Sequence, residues 1–280
     1  MSCPSCFQGH IHDGTPSGRI MSIHSLETYV AEPAVDLDVK GIIIIIPDAF
    51  GLPFVNNKLL ADHYAEKGQY KVYLPDFMNG AAPTWLINTM AEIFEFKTWM
   101  DYIWKPYNVG WTIASFGPHL YRNRWSVAWP KVQKFFNDVR CNEGFNLPIG
   151  AAGFCWGGKH SICLAHPLKA SNGQPLCDAS FAAHPSNVEI PRDIEPVKQP
   201  LAFALGDEDF VMDIPTLDKM ESILKRDNTA YQVRVYQEAG HGFAVRADPK
   251  NEKVMEQSIE AENQAIKWFQ TQFEKRRAAM

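Results

Sequence analysis

The sequence has no long apolar run. A bilayer-spanning helix needs ~20 such residues, and the longest stretches here, such as Ile42 to Ile46, have five. No membrane partner is expected, and such a run suits a central strand. The opening Met1-Ser2-Cys3-Pro4-Ser5-Cys6 lacks an apolar core, so no secretory signal and a cytoplasmic location are expected. A basic stripe is lacking as well. The formal net charge is −5, and the nearest basic run is Lys275-Arg276-Arg277, which argues against nucleic acid as partner. Repeats, low-complexity tracts and linkers rich in Gly, Ser or Pro are missing too. One domain over residues 1–280 is therefore expected, with 1–24 as an N-terminal extension. The 46% hydrophobic and 21% charged residues fit an ordinary globular chain. In the cytoplasm its six cysteines are expected to be mostly thiols.

Strand-like and helix-like segments alternate along most of the chain. That pattern predicts an α/β fold, a mostly parallel sheet flanked by helices. Gly41 to Ile46, Tyr70 to Leu74, Leu147 to Ala152, Ala179 to Ala183, Leu201 to Leu205 and Tyr231 to Tyr236 read as strands. Asn57 to Lys67 reads as a helix closed by Gly68. The stripe Val132, Phe135, Phe136, Val139 predicts a core-facing helix. Leu217, Met220 and Leu224 mark another helix, and Val254, Ile259, Ile266, Phe269 and Phe273 a terminal one. Residues 80–125 break this rhythm and hold five of the eight tryptophans. They read as an aromatic-rich insertion, a cap lining a substrate pocket. The plainer alternative is a satellite core packed on the body.

The most informative residues are Gly153-Phe154-Cys155-Trp156-Gly157. They have the form G-x-C-x-G between a short apolar strand and a helix that Gly158 to Ala165 can form. This is the nucleophile elbow of α/β-hydrolases with cysteine in place of serine. Small residues relieve the crowding of so tight a turn. The thiol would sit at a helix N-terminus, where partial positive charge favours thiolate. A small buried cysteine is the bland alternative.

Two later loops supply partners. Leu201 to Leu205 runs into Gly206-Asp207-Glu208-Asp209, where an acid can orient a histidine; Asp209 is preferred and Asp207 is the alternative. Tyr231 to Tyr236 leads to Gly240-His241-Gly242, which suits a histidine that swings over the nucleophile, with His184 its competitor. The order Cys155, Asp209, His241 is the nucleophile–acid–histidine order of α/β-hydrolases. Upstream, Pro47-Asp48-Ala49-Phe50-Gly51 ends a strand expected to face the elbow. Backbone N–H groups of Ala49 and Trp156 are the candidate oxyanion hole. Asp48 is a candidate modulator of the thiol, or only a turn residue.

Together these segments, with Pro75-Asp76-Phe77, resemble the dienelactone hydrolase family over roughly residues 25–275. The resemblance implies a Cys–His–Asp triad that opens a small-molecule ester or lactone through an acyl-enzyme, with no cofactor and no metal. It also implies that an acid at Asp48 contacts the resting thiol, although aspartate is shorter than the glutamate of bacterial members. Those members clamp a substrate carboxylate with arginines, one just after the triad histidine. Val245 stands at that position here, with Arg246 next, so the substrate need not be a dienelactone. Arg122 and Arg124 are candidate substitutes. The opening Cys3-Pro4-Ser5-Cys6 is similar to that of fungal members.

Two other readings compete. Cys3, Cys6, His10 and His12 form C-x2-C-x3-H-x-H, four potential zinc ligands at a short spacing. Cys155 could also serve as a redox sensor or a ligand-binding thiol without hydrolysis, which would not require His241.

Overall fold

The structure, a computed structural model, describes residues 9–87, 110, 116–209, 211–212 and 214–279. The strands are β1 (Arg19–Ile23), β2 (Leu26–Ala31), β3 (Ile42–Ile46), β4 (Lys71–Pro75), β5 (Ile149–Phe154), β6 (Ala179–Ala183), β7 (Leu201–Gly206) and β8 (Tyr231–Tyr236). They form one eight-stranded sheet in the order β1-β2-β4-β3-β5-β6-β7-β8. From β4 to β8 neighbouring strands are parallel; β2 joins β4 antiparallel, and β1 joins β2 likewise.

The five isoleucines of β3 show why this sheet forms. Their β-branched side chains suit an extended backbone, parallel neighbours on both sides pair that backbone, and core layers on both faces leave the side chains no contact with water. Successive side chains alternate between faces. Ile43 and Ile45 join the core layer that holds Phe269 and Phe273, while Ile42, Ile44 and Ile46 join the layer with Val132, Phe135, Phe136 and Val139. Helices α1 (Val55–Gly68) and α6 (Glu252–Ala278) cover the first face. Helix α2 (Trp125–Cys141) covers the second with its expected stripe. Further helices among the described residues include α3 (Trp156–Leu164), α4 (Ile214–Arg226) and the single turn α5 (Phe243–Arg246).

The expected strands and helices are present with ends shifted by a few residues. The elbow strand runs on through Phe154, and α3 starts at Trp156, so Cys155 alone makes the turn. Two strands go beyond the sequence pattern: β1 lies inside the expected extension, and β2 follows it. Ile259 departs from the expected buried stripe of α6; it is 48% exposed, just outside the arc held by Ala261, Ala265 and Phe269. Within the expected cap, Phe94, Phe96, Trp99, Tyr102, Trp104, Tyr107 and Trp111 lie outside the described residues. Among the described residues, no helix is long and apolar enough to cross a membrane.

The parallel strands carry their carboxyl ends to one edge, where open α/β sheets bind ligands. The elbow is pressed tightly there. The Gly157 N–H donates to the Pro47 carbonyl at 3.2 Å, and a Cβ on Gly157 would overlap the Ile46 carbonyl. Gly157→Ala is therefore expected to destabilise the protein by about 3 kcal/mol or to abolish soluble expression, since backbone cannot yield as a side chain would. Urea denaturation measures it; wild-type stability would contradict this packing.

Candidate active site

Cys155 joins β5 to α3 at φ 50°, ψ −111°, a backbone region that non-glycine residues rarely adopt. Such a conformation costs on the order of 1–3 kcal/mol and persists only where its surroundings enforce it. Here they do. The Cys155 N–H donates to the Ala183 carbonyl at 3.2 Å, and its own carbonyl accepts from Gly158 at 3.0 Å and Ser186 at 2.9 Å. The side chain is held up at the edge of the sheet, at the start of α3.

The histidine and the acid come from the ends of β8 and β7. His241 Nδ1 donates to Asp209 Oδ2 at 2.8 Å, and Asp209 Oδ1 accepts from the Val211 N–H at 3.0 Å. All three expected residues are buried: Cys155 is 2% exposed, Asp209 1% and His241 4%. Asp207 points elsewhere and accepts from the Glu238 N–H at 2.6 Å. That bond, with Glu208 N–H to Ala239 carbonyl at 3.2 Å, ties the acid loop to the histidine loop. Of the two acids, Asp209 meets the ring.

A residue that the sequence does not single out stands between thiol and imidazole. Ser186 Oγ lies 3.3 Å from Cys155 Sγ and 3.4 Å from His241 Nε2. Its only sequence signal is its place two residues after His184, at a strand end. His184 itself is fully buried, with its ring centroid 5.0 Å from that of His241 in an edge-to-face contact. Burial, with the nearby His241 and Arg246 adding to it, lowers its proton affinity far below the ordinary histidine range. It packs behind His241 as a neutral ring.

At the end of β3, the Ala49 and Trp156 backbone N–H groups donate to no acceptor among the described residues. The Trp156 group is left over by geometry, as the first N–H groups of a helix are. Asp48 does not meet the thiol. Its carboxylate accepts from the Arg246 guanidinium, from Asn57 Nδ2 at 3.1 Å and from the Phe50 N–H at 3.2 Å. Asp48 and Arg246 side chains are both 0% exposed, and the guanidinium also lies over the Phe50 ring. The expected contact between Asp48 and Cys155 is thus replaced by an internal ion pair. The short aspartate is held where a buried cation requires it.

A cavity of about 270 Å³ opens beside Trp156 and Ser186, the neighbours of Cys155 in chain and in space, lined also by Arg124, Trp125, His160 and Glu189, among others. His160 packs against Trp156 and Trp125, with centroids 4.2 and 4.9 Å away, and burial pushes its pKa down to about 4. Lys159 also lines this space but is held by Glu189 at 3.0 Å and Asp193 at 3.1 Å. Arg124 lies over the Tyr121 ring and donates to the Tyr121 carbonyl at 2.7 Å. It has no acidic partner among the described residues. Arg122 sits apart from this cavity and donates to the Pro118 carbonyl at 3.1 Å.

For the zinc reading, Cys3 and Cys6 lie outside the described residues. His12 Nε2 donates to the Ala247 carbonyl at 2.9 Å, and His10 Nε2 stands 3.3 Å from Asp248. These two histidines fasten the N-terminal segment to the loop after α5. No cluster of potential metal ligands occurs among the described residues.

An elbow cysteine on a mostly parallel sheet, followed in order by an acid loop and a histidine loop, defines the α/β-hydrolase class. The dienelactone hydrolase family model matches residues 26–273, and the chain belongs to that family. It is a hydrolase of the dienelactone hydrolase type, an enzyme of the lactone/ester class. It is 28% identical over 265 residues to "Hydrolase tropI" of Talaromyces stipitatus, covering 94% of each chain. It is 27% identical to "Dienlactone hydrolase 1" of Gibberella moniliformis, over 86% of this chain and 82% of that one. A carboxymethylenebutenolidase homolog of Xenopus tropicalis is 27% identical over 90% of this chain and 87% of its own. Among solved structures, the dienelactone hydrolase of Anabaena variabilis superposes with a TM-score of 0.58 at 14% identity, covering 93% of this chain and 99% of that one. An esterase of Thermogutta terrifontis gives 0.57 at 12% identity, over 90% and 94%.

Proposed function

We propose that this hydrolase opens a carboxylic ester or lactone through a thioester on Cys155, with His241 as acid–base and Asp209 as its orienting group. The observation that carries this reading is the buried His241–Asp209 hydrogen bond of 2.8 Å behind a cysteine on an elbow. A thiol that only senses oxidants needs no such pair.

In this reading the sulfur attacks the substrate carbonyl. The developing oxyanion is met by the Ala49 and Trp156 N–H groups, aimed where charge appears. Asp209 keeps the proton on Nδ1, which leaves Nε2 to take the thiol's proton and pass it to the leaving oxygen. Water then attacks the thioester, again through His241. The cavity beside Trp156 and Ser186 takes the rest of the substrate. Its aromatic walls favour a flat group. Arg124 is the candidate there for an anionic or polar substituent. Arg122 is expected to leave affinity unchanged.

The test is turnover of a panel of aryl esters and enol lactones by the wild type and by Asp209→Asn. The wild type is expected to hydrolyse members of the panel. Asp209→Asn is expected to keep the fold and lose kcat on the order of 10⁴-fold, because the imidazole then adopts the wrong tautomer. A variant as active as the wild type would contradict the triad. Oxidation of Cys155 with no ester turnover by the wild type would favour the redox reading.

A further inference from the structure

Ser186 belongs to a turn that is fixed from several sides. His184 and Asn187, which flank the Pro185-Ser186 pair, have φ of 36° and 58°, so the chain reverses sharply there. The His184 N–H donates to the Ala204 carbonyl at 2.9 Å, and the Ser186 N–H to the Cys155 carbonyl at 2.9 Å. Pro185 lies against Gly158 in α3, where a Cβ would come within 2.5 Å of the proline ring. The Ser186 hydroxyl is therefore delivered to a set position between Sγ and Nε2, at 3.3 and 3.4 Å, with the residue only 7% exposed. It also lines the cavity shared with Trp156.

The polarity of this chain of groups follows from its far end. A carboxylate oxygen can only accept, so the 2.8 Å contact with Asp209 puts the imidazole hydrogen on Nδ1. Nε2 of the neutral ring then offers a lone pair. A hydroxyl has one hydrogen to donate and lone pairs to accept with. Ser186 satisfies both neighbours in one arrangement: its O–H donates to Nε2 while its oxygen accepts from the thiol.

We propose that the Ser186 hydroxyl carries the proton from Cys155 to His241 during acylation. The proposal rests on the acyl-enzyme reading above and adds a residue to it. As the bond from sulfur to the carbonyl carbon forms, the carbonyl π electrons move to oxygen. The thiol proton passes to Ser186 Oγ, and the proton that serine held passes to Nε2. Serine ends neutral, and the imidazolium is paired with Asp209. When the π bond re-forms, the C–O bond breaks and the imidazolium proton goes to the leaving oxygen. No other reactant is required.

Ser186→Ala, Ser186→Thr and Ser186→Val separate the hydroxyl from the volume, since threonine and valine have nearly the same shape. Two quantities are read: kcat/KM, and the pH dependence of Cys155 alkylation by iodoacetamide, located by peptide mass. Cys163 and Cys177 add little background, because burial pushes both thiols up to about 12. Ala and Val are expected to lose on the order of 10²-fold in kcat/KM, the lower range for acid–base groups, with alkylation shifted to higher pH; Thr stays within about tenfold of wild type. In wild-type protein, rates in mixed light and heavy water should give a bowed proton inventory, as two protons move together.

Ala within about twofold of wild type, or Thr as impaired as Val, would overturn the relay. So would a linear proton inventory. If Ala fails to fold, the Thr and Val pair and the wild-type inventory still decide. Loss of activity in Cys155→Ala with full activity in Ser186→Ala would remove the relay and leave the thioester mechanism standing. Full activity in Cys155→Ala would remove both.

Discussion

Cys155→Ala is expected to keep the fold and lose kcat/KM by 10⁴-fold or more, on the order of what a triad loses with its nucleophile. The fold should survive because the site of the change is enforced by backbone bonds. The Cys155 N–H and carbonyl are held by Ala183, Gly158 and Ser186, and none of these contacts uses the sulfur. Circular dichroism and urea denaturation check the first half of the expectation, and steady-state kinetics on an aryl ester the second. A variant that folds and retains near-wild-type turnover would show that the elbow sulfur is not the reacting atom.

Arg246→Met is expected to destabilise the protein by about 3–5 kcal/mol, the usual cost of stranding one member of a buried pair. Both side chains of the Asp48–Arg246 pair are fully removed from solvent, and 198 residues of chain separate them. Without the guanidinium, the donors left to the Asp48 carboxylate among the described residues are those of Asn57 and Phe50. The double change Asp48→Asn with Arg246→Met should cost less than the sum of the two singles, since no unpaired charge is then left inside. Denaturation midpoints of the four proteins measure this coupling; additive losses would contradict a direct pairing. Activity should fall as well. The guanidinium packs under Gly242, next to His241, so the pair props the histidine loop from below.

The parts of the site that sit on short motifs are legible in the sequence itself. The elbow, the acid loop and the histidine loop each follow a strand, and local turn chemistry is written in neighbouring residues. The β3 strand is legible for the same reason: five consecutive isoleucines have few alternatives. What escapes the sequence depends on residues distant along the chain. Ser186 gains its place only because two residues of positive φ turn the chain back onto the elbow. Asp48 reads either as a modulator of the thiol or as a turn residue because the sequence cannot show that Arg246 returns to meet it. Asp207 and Asp209 share one loop, and only the fold shows that the former bonds to Glu238 while the latter faces the ring. Strand β1 escapes because four of its five residues are exposed, so it lacks the apolar alternation of a half-buried strand.

The central claim is that the Cys155 sulfur becomes acylated, and it is tested most directly by catching the bond. The enzyme would be quenched in acid during turnover of a slowly hydrolysed aryl ester or enol lactone, digested and mapped by mass. The account predicts the mass of the acyl group on the peptide bearing Cys155, absent from Cys155→Ala. Acylation of Ser186 or any other side chain, with Cys155 unmodified, would contradict it.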